Sequence, residues 1–444
     1  MAKRYLIETF GCQMNFHDSE RMAGLLEAAG FELAGTSAEA DVIVLNTCTV
    51  RERAEDKVYS RIGELRHAAA AEGRQPVLAV TGCLAQQEGS VIFRKSPFVD
   101  VVVGTQAEKR LPMLVAEAGL TGSRQIDINP YDDVSFPLGM TQRADAVKAY
   151  VTIIEGCNDF CAFCVVPYTR GHERMRPKAD ILAEVAEAAR TGRREIQVLG
   201  QIVNHYQAPD DTGCDFAGLL AAVDQVPGVE RIRFASPHPR HVTPRLIDAI
   251  GALPHVCKHI HLPVQSGSTR VLAAMRRRHT REEFLALVQQ LKAGVPGIQL
   301  STDIIVGFPG ETDEDFAETF SLVDAVGFHS IFSFKYSERP NTLAAKRLAD
   351  DVPEDEKTRR LTALQARQTE IQQALHGQAV GREVEVLVDS ISRRRETELS
   401  GRTTGNTVVN FPGRPELLGA LAQVRIERAG AHSLWGRLTD TTPA

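Results

Sequence analysis

The chain of 444 residues has only eight cysteines and one tryptophan, and it contains no long hydrophobic run. So few cysteines exclude a scaffold built on disulfides and are typical of a reducing cytosol. No apolar stretch approaches the ~20 residues of a membrane-spanning helix, and Glu8 interrupts the apolar start before a signal-peptide core can form. We therefore expect a cytoplasmic protein with no targeting segment and no membrane association.

No charge of one sign dominates either. Lys and Arg number 51 against 57 Asp and Glu, which gives a formal net charge of -6. This balance excludes a global basic footprint for nucleic acid, so any contact with RNA must be local. The length predicts two or three domains, and the 43% hydrophobic content is ordinary for a globular protein.

What the chain does have is a group of three closely spaced cysteines. Cys157, Cys161 and Cys164 form a C-x3-C-x2-C triplet in EGCNDFCAFCVVPYTRG, directly after an apolar run that predicts a strand. Three thiolates hold three irons of a 4Fe-4S cubane, whereas a purely structural cluster takes four cysteines, so one iron is left for a substrate. The alternative is a zinc knuckle or buried structural cysteines. However, no second C-x2-C pair follows at the ~15–20-residue spacing of a zinc ribbon.

This triplet resembles that of the radical S-adenosylmethionine (SAM) enzymes. The resemblance implies that the open iron binds the amino and carboxylate groups of SAM. It also implies that one electron from the cluster cleaves the sulfonium and releases a deoxyadenosyl radical. We expect Phe163, within the same loop, to form a wall against the adenine ring.

A second set of cysteines lies in the first region, up to about residue 125. Apolar runs at 4–10, 41–45, 77–80 and 99–103 alternate with helical patterns at 19–29, 51–66 and after residue 84, which predicts a parallel α/β domain. Cys12, Cys48 and Cys83 each follow one of these strands, and ligands collect beyond the carboxyl ends of parallel strands. We therefore predict that the three converge on one edge as a second metal cluster. The alternative is three buried cysteines that act as small hydrophobic residues.

The middle region has the pattern of a partial (β/α)6 barrel. The predicted strands are 148–155, 195–199, 230–235, 257–262, 298–305 and 330–335, and the predicted helices are 178–191, 215–225, 242–253, 280–293 and 312–326. Small or amide-bearing residues follow these strands, where the site of such a barrel lies. We predict that they contact the cofactor: Gly200, Gln201, Gln265, Ser301 and Asp303. A turn glycine or a polar residue at a strand end is the other interpretation for each.

The last region changes character. A charged helix at 354–373 precedes short β-rich runs at 381–438 that are separated by turns, which predicts a small antiparallel β-barrel. Its cations are all arginine, including Arg393, Arg394 and Arg395, and such barrels often bind oligonucleotides. A solvated charge run is the alternative for these three arginines.

Several further residues have simpler interpretations. Arg276, Arg277 and Arg278 precede a predicted capping box at Thr280 and Glu283, which leaves the arginines to reach phosphates near the barrel mouth or to form solvated surface. Cys214 and Cys257 have no partner spacing and are interpreted as structural. His238 and His241 are interpreted as simple hydrogen-bonding residues.

Nearly the whole chain resembles the radical SAM methylthiotransferase family. The order of a three-cysteine α/β domain, a C-x3-C-x2-C barrel and a small barrel of the TRAM type is characteristic of it. The segments GCQMN, NTCTVRERAEDKV, TGCLAQQEG and CVVPYTRG resemble the branch that acts on transfer RNA bearing an isopentenyl-type group. The predicted domains are residues 1–125, a linker at 126–145, the barrel at 146–375 and the TRAM-type domain at 378–441.

The resemblance implies two 4Fe-4S clusters. Cys157, Cys161 and Cys164 would hold the cluster that makes the radical, and Cys12, Cys48 and Cys83 an auxiliary cluster that presents or donates sulfur. The reaction would replace the hydrogen on C2 of N6-isopentenyladenosine, next to the anticodon, with sulfur, and a second SAM would supply the methyl group. The partners would be the anticodon loop of transfer RNA and an electron donor such as a flavodoxin or ferredoxin.

Two departures from the family pattern are small. Ile202 stands where asparagine is usual after Gln201, which puts a contact through that position in doubt, and Leu343 stands where proline is common. Rival functions are methylthiolation of threonylcarbamoyladenosine or of a ribosomal protein aspartate. A rival from another class is a non-catalytic iron-sulfur RNA-binding redox sensor.

Overall fold

The computed structural model describes residues 2–49, 52–129, 139, 141–392 and 395–439, without the side chains of residues 52–54. Within this part the chain forms two compact units. The first unit comprises Met1–Ala144, Glu155–Asp159 and Cys164–Arg174, and the second comprises Asp145–Ile154, Phe160–Phe163 and Met175–Ala444. Half of the predicted linker 126–145, at residues 130–138 and 140, lies outside the described residues, as do Arg51, Arg393, Arg394 and positions 440–441.

The first unit contains a six-stranded sheet in the order β2-β1-β3-β4-β5-β6, and every strand pair in it is parallel. The strands are β1 (Arg4–Phe10), β2 (Glu32–Leu33), β3 (Val42–Thr47), β4 (Val77–Gly82), β5 (Val101–Val103) and β6 (Gln125–Asp127). The helices are α1 (Gln13–Ala28), α2 (Glu52–Ala71), α3 (Cys83–Glu88), α4 (Val91–Lys95) and α5 (Leu111–Thr121). The predicted parallel α/β domain is confirmed.

Both faces of this sheet are buried, which explains its continuous apolar strands. On one face Val42 and Val44 of β3 lie in a core with Met22 of α1. On the other face Ile43 packs in a core with Val58 of α2. Alternate residues of β3 therefore pack against helices on opposite faces of the sheet.

Helix α1 begins at Gln13, six residues before its predicted start. Cys12 occupies the N-cap position, and Asn15 Oδ1 accepts from the Cys12 backbone N–H at 3.4 Å and from its Sγ at 3.3 Å. Asn15, His17 and Asp18 are polar but buried, and Phe16 is exposed, so apolar periodicity does not reveal this start. Strands β2 and β6, of two and three residues, were also not predicted.

The remaining strands up to residue 377 are β7 (Lys148–Thr152), β8 (Ile154–Glu155), β9 (Arg174–Met175), β10 (Glu195–Leu199), β11 (Arg231–Phe234), β12 (His259–His261), β13 (Gln299–Val306) and β14 (Ser330–Lys335). The helices are α6 (Val166–Thr169), α7 (Lys178–Arg190), α8 (Phe216–Asp224), α9 (Pro244–Ala252), α10 (Thr269–Ala274), α11 (Arg281–Gly294), α12 (Asp313–Val326), α13 (Leu343–Arg347) and α14 (Glu354–Gly377). The six predicted barrel strands and their five helices are all present, with ends shifted by a few residues.

The barrel strands of the second unit form two parallel sheets, β7-β10-β11 and β12-β13-β14. An isolated parallel bridge between Ile232 and Val256 connects them, so the strands follow one another in chain order, as a partial barrel requires. Along each strand, apolar residues pack in the main core, Ile196 and Ile232 among them. The residues that alternate with them on the other face are mostly polar, as Glu195 and Arg233 are.

Residues 383–438 form a closed five-stranded barrel. Its strands are β15 (Glu383–Ile391), β16 (Glu398–Arg402), β17 (Val408–Pro412), β18 (Leu421–Ala429) and β19 (Leu434–Leu438). Four of the five pairings are antiparallel, as predicted, and β17 and β19 close the barrel as a parallel pair. Val386, Val409 and Phe411 lie in its core.

Two buried arginines of β11 attach this small barrel to the larger one. Arg233 donates to the carbonyl oxygens of Thr403 (2.6 Å) and Thr404 (3.2 Å) and pairs with Glu195 at 2.8 Å. Arg231 donates to the carbonyl oxygen of Arg402. The turn after β16 is thus held by strand side chains of the partial barrel. No helix in the described part of the chain is long and apolar enough to span a membrane.

Candidate cluster and cofactor sites

The three N-terminal cysteines leave adjacent strands at one edge of the parallel sheet. Cys12 follows β1, Cys48 follows β3, and Cys83 follows β4 as the first residue of α3. In the register, Thr47 pairs with the last residues of both β1 and β4, so the three strands end at one level. The strand order reverses between β1 and β3, the type of position where open parallel sheets bind ligands. The predicted convergence is confirmed, and the role of these cysteines as cluster ligands stays a prediction.

A buried amide network holds this edge. Asn46 Nδ2 donates to the carbonyl oxygen of Asn15 (2.7 Å) and to Ser19 Oγ (2.9 Å). In return, Asn15 Nδ2 donates to Asn46 Oδ1 (3.2 Å) and to the carbonyl oxygen of Thr47 (3.3 Å). Gly82 has a φ of +85°, and a Cβ there would lie 2.4 Å from Asn46 Oδ1. Only glycine therefore fits beside the network, just before Cys83.

The electrostatics differ among the three thiols. A hydrogen bond with Cys48 lowers the pKa of Cys12 to about 6, and the nearby charge of Arg170 acts in the same direction against the effect of burial. Burial raises the pKa of Cys83, and Arg170 partly offsets that increase. Since the thiolate is the form that binds metal, this edge contains one thiol already disposed to ligate at neutral pH.

The residues present suit an iron-sulfur cluster chemically. None of the three cysteines is in a disulfide, and a buried guanidinium lies near Cys12 and Cys83 to offset the negative charge of thiolate ligands. A cluster spreads its cysteine ligands over several irons. Within the described ranges, no three or more His, Cys, Asp or Glu side chains are arranged as the ligand set of a single metal ion.

The cysteine triplet is divided between the two units. Cys157 and Cys164 belong to the first unit, where the backbone N–H of Cys157 donates to the carbonyl oxygen of Gly171 at 3.1 Å. Cys161 belongs to the second unit, where Arg277 Nη1 donates to its Sγ at 3.6 Å. One cysteine of the triplet thus already has a cationic hydrogen-bond donor.

Of the predicted cofactor contacts, Gln201 carries the clearest sign of a missing partner. Its Oε1 is buried and has no hydrogen-bond partner among the described residues. A buried acceptor without a partner costs about 1–3 kcal/mol, so a ligand donor here would be favourable. The preceding Gly200 is tightly placed, because a Cβ there would lie 3.3 Å from the Cα of Val203. An ammonium or ribose hydroxyl group of SAM has the required donor.

Ser301 and Asp303 are tied to two histidines on the polar face of β12 and β13. Ser301 Oγ lies 3.0 Å from both His259 Nε2 and His261 Nδ1, and His261 Nε2 lies 3.3 Å from Asp303 Oδ1. Burial, aided by nearby positive charge, lowers the pKa of His259 well below its ordinary value, so its ring is neutral. The Ser301 hydroxyl and one Asp303 oxygen therefore have protein partners, and their contact with SAM stays a prediction.

Gln265 and Phe163 also lie in the second unit. Gln265 has a φ of +75°, which is unusual for a residue with a side chain, and its backbone bonds to Asp303 and Ile305 at 2.9 Å each. Phe163 is half-buried and packs against a small core that includes Met275. Their predicted roles in binding SAM are not tested by this geometry.

One expectation is wrong. Arg277 was grouped with the cations that reach phosphates, but it is buried. Its neighbours Arg276 and Arg278 are exposed with φ of +58° and +56°, and this alternation turns the middle arginine inward.

The simpler interpretations of the capping box, of Cys214 and Cys257, and of His238 are confirmed. Thr280 and Glu283 form the predicted capping box at the start of α11. Cys214 and Cys257 are both buried. His238 Nδ1 accepts from the backbone N–H two residues later at 3.1 Å, as a hydrogen-bonding residue does.

Sequence reasoning did not single out Arg170 or assign Arg277 to a cysteine. Arg170 lies in the CVVPYTRG segment after Cys164, so it was part of a recognised motif. The sequence did not indicate which residues it contacts. The role of Arg277 depends on a contact 116 residues away, which no local pattern reveals.

Three known families match successive parts of the chain. The uncharacterized protein family UPF0004 matches residues 4–104, the radical SAM superfamily matches residues 151–323, and the TRAM domain matches residues 377–439. Cys12, Cys48 and Cys83 fall in the first match and the cysteine triplet falls in the second.

Curated relatives are similar over almost the whole length. The tRNA-2-methylthio-N(6)-dimethylallyladenosine synthase of Bordetella bronchiseptica is 47% identical over 99% of this chain and 92% of its own. The protein of the same name from Thiobacillus denitrificans is 48% identical over 98% of each chain.

Among solved structures, the radical SAM methyltransferase TsrM from Kitasatospora setae, with cobalamin and a 4Fe-4S cluster bound, has a similar fold. The TM-score is 0.58 at 14% identity, over 78% of this chain and 77% of that one. The full-length identity and the three matched families agree with the order of elements in the fold. The chain therefore belongs to the radical SAM family of tRNA-2-methylthio-N(6)-dimethylallyladenosine synthases.

Proposed function

We propose that this protein attaches a methylthio group to C2 of the adenine ring of N6-isopentenyladenosine next to the anticodon of transfer RNA. The observation that carries the proposal is the 47–48% identity, over nearly the full length, with relatives named for this activity. All six predicted ligand cysteines fall within the matched families.

Two sets of three cysteines would hold two 4Fe-4S clusters with different roles. Cys157, Cys161 and Cys164 would hold the first, and Cys12, Cys48 and Cys83 the auxiliary one. When bound, the clusters and SAM supply the radical, the sulfur and the methyl group, because an aromatic C–H bond has no acidity that a general base can use.

Other residues would bind and orient SAM. Gln201 Oε1, a buried acceptor, would take a hydrogen bond from it. His261 orients the carboxylate of Asp303 at 3.3 Å, which leaves the other oxygen for a ribose hydroxyl. Phe163 would provide an apolar wall beside the adenine ring, in contact with the small core that includes Met275.

Transfer RNA would contact the small barrel through a surface that we call the indole platform, formed by Trp435, Arg428, Arg437 and Arg395. The Arg428 guanidinium lies 4.0 Å from the centroid of the Trp435 ring, and the indole Nε1 donates to Glu398 at 3.0 Å. Stacked aromatic and guanidinium planes with nearby cations suit unpaired bases and phosphates. Arg428, Trp435 and Arg437 lie on strands β18 and β19, and Arg395 lies just before β16, whereas the turn held by Arg233 follows β16.

The remaining partners follow from the chemistry. Reductive cleavage of SAM needs an electron donor such as a flavodoxin or ferredoxin. The thiols must stay reduced for cluster assembly, so we place the reaction in the cytoplasm.

Nucleoside mass spectrometry tests the proposal directly. Isopentenylated transfer RNA is incubated anaerobically with the reconstituted protein, a reductant and SAM. We expect a methylthio mass gain on the isopentenyladenosine and formation of deoxyadenosine. Matched reactions contain threonylcarbamoylated transfer RNA or ribosomal protein.

Each of the other outcomes contradicts a different part of the proposed function. Gain only on threonylcarbamoyladenosine or a ribosomal aspartate would overturn the substrate. Intact clusters with no deoxyadenosine would overturn the enzyme and favour an iron-sulfur RNA-binding sensor.

A further inference from the structure

Arg170 forms a buried ion pair within the first unit. Its Nη2 lies 2.6 Å from Asp18 Oδ2, and the two side chains are 6% and 2% exposed. Asp18 lies on α1, which begins directly after Cys12, whereas Arg170 follows α6, six residues after Cys164. One ion pair therefore joins a segment from each predicted ligand set.

The guanidinium of Arg170 also reaches the auxiliary cysteines. Its positive charge lowers the pKa of both the Cys83 and the Cys12 thiol, so the guanidinium lies near both sulfur atoms. Helix α6 packs against α3, whose first residue is Cys83. The cation is thus shared between Asp18 and the sulfur atoms.

The backbone around Arg170 is fixed as firmly as its side chain. Gln106 Nε2 donates to the carbonyl oxygen of Arg170 at 3.0 Å, and Thr105 Oγ1 donates to that of Thr169 at 2.6 Å. Gly171 follows with a φ of +74°, and a Cβ there would lie 2.4 Å from Gln106 Nε2. The position of Arg170 is therefore determined independently of its ion pair.

A purely structural role for the ion pair between Arg170 and Asp18 does not explain this arrangement. A buried ion pair is weak evidence for stability, because its desolvation cost often matches its Coulombic gain. A buried positive charge beside ligand sulfurs has a clearer use. Hydrogen bonds to the sulfurs and local charge set the reduction potential of an iron-sulfur cluster.

We propose that Arg170 is a positioning residue of the auxiliary cluster, which holds its buried positive charge beside the start of α3 at Cys83 and raises the reduction potential of that cluster. The inference rests on the proposed function only in assuming that Cys12, Cys48 and Cys83 hold a cluster. Positive charge stabilises the more negative, reduced form, which gives the sign of the effect.

An EPR-monitored redox titration tests this without SAM or transfer RNA. The parent is the full chain with Cys157, Cys161 and Cys164 all changed to alanine, so that only the auxiliary cluster is observed. Arg170→Met removes the positive charge and the hydrogen-bond donors. Arg170→Lys keeps the positive charge but replaces the planar guanidinium with an ammonium group. Arg21→Met is the control, because it breaks another buried ion pair from α1, with Glu155 at 3.1 Å.

We expect Arg170→Met to lower the midpoint potential, Arg170→Lys to lower it less, and Arg21→Met to leave it unchanged. An unchanged potential in Arg170→Met would overturn the proposal and would mean that the ion pair with Asp18 has only a structural role. If Arg170→Met does not retain the cluster, Arg170→Lys decides: a lowered potential supports the proposal and an unchanged one overturns it. A parent with no auxiliary cluster would instead contradict the proposed function.

Discussion

Arg277 donates a hydrogen bond from Nη1 to the sulfur of Cys161 at 3.6 Å, from a side chain that is only 6% exposed. Its Nη2 donates to the carbonyl oxygen of Pro263 at 2.7 Å, which fixes the guanidinium plane. The arginine thus lies beside a predicted ligand of the radical-forming cluster as a fixed donor. A buried arginine, Arg170, also lies near the other cysteine set.

We expect Arg277→Met to lower the reduction potential of the radical-forming cluster and to slow SAM cleavage by about 10–100-fold, since residues that orient ligands have effects of that size. The potential is measured by EPR titration and cleavage by deoxyadenosine release. Arg278→Met, at the exposed neighbouring position, is the control and should change neither quantity. Equal effects in both variants would show that surface charge, not the sulfur contact, matters.

The two cysteine sets should separate in their functions. Cys161→Ala should abolish deoxyadenosine formation, because the open iron is lost with its cluster. Cys48→Ala should preserve deoxyadenosine formation and block the methylthio product, with iron content reduced by one cluster. Cys214→Ala, at a buried cysteine of the main core, controls for loss of folding. Equal loss of cleavage in the first two variants would contradict the division of labour.

The sequence predicted the elements and the strand-end cysteines because these depend on local patterns. Strands buried on both faces are continuous apolar runs, and their ends determine where Cys12, Cys48 and Cys83 emerge. The start of α1 was missed because a cysteine caps it and the first turn buries polar groups such as Asn15.

The residues that surround the cysteines could not be predicted in the same way. Arg170 meets Asp18 across 152 positions, and Arg277 meets Cys161 across 116. Such contacts follow from how loops pack, and a run such as RRRH looks like solvated surface until alternating backbone conformations turn Arg277 inward.

Gln201 should contribute to SAM affinity. Its buried Oε1 has no partner in the described part of the chain, so bound SAM gains a hydrogen bond there. We expect Gln201→Ala to weaken SAM binding by about 5–30-fold, the equivalent of about 1–2 kcal/mol for one hydrogen bond. Equilibrium binding to the reconstituted protein measures this, with Gln365→Ala on the exposed face of α14 as control. Unchanged affinity would remove Gln201 from the SAM site.

The indole platform should bind transfer RNA. Arg428→Ala and Trp435→Ala each remove one stacking plane, worth about 1–3 kcal/mol per base. We expect affinity for isopentenylated transfer RNA to fall about 5–100-fold in each variant, and Arg428→Ala to reduce the salt dependence of binding. Arg367→Ala on α14, which pairs with Asp324 at 2.6 Å, is the control. Unchanged affinity in both platform variants, measured by filter binding, would place RNA elsewhere.

The attachment of the small barrel should depend on Arg233. Arg233 and Glu195 are 5% and 2% exposed, so Arg233→Met leaves a buried carboxylate without its cation, at a cost of about 3–5 kcal/mol. Adding Glu195→Gln should recover part of this stability, because the uncompensated charge is removed. The same substitution deletes the donors to Thr403 and Thr404, so hydrogen exchange should accelerate in the turn at residues 402–407. Faster exchange there in Arg233→Met, persisting when Glu195→Gln restores stability, would separate loss of the contact from loss of the ion pair. Unchanged exchange would mean that other contacts, such as Arg231 with the carbonyl oxygen of Arg402, hold the turn unaided.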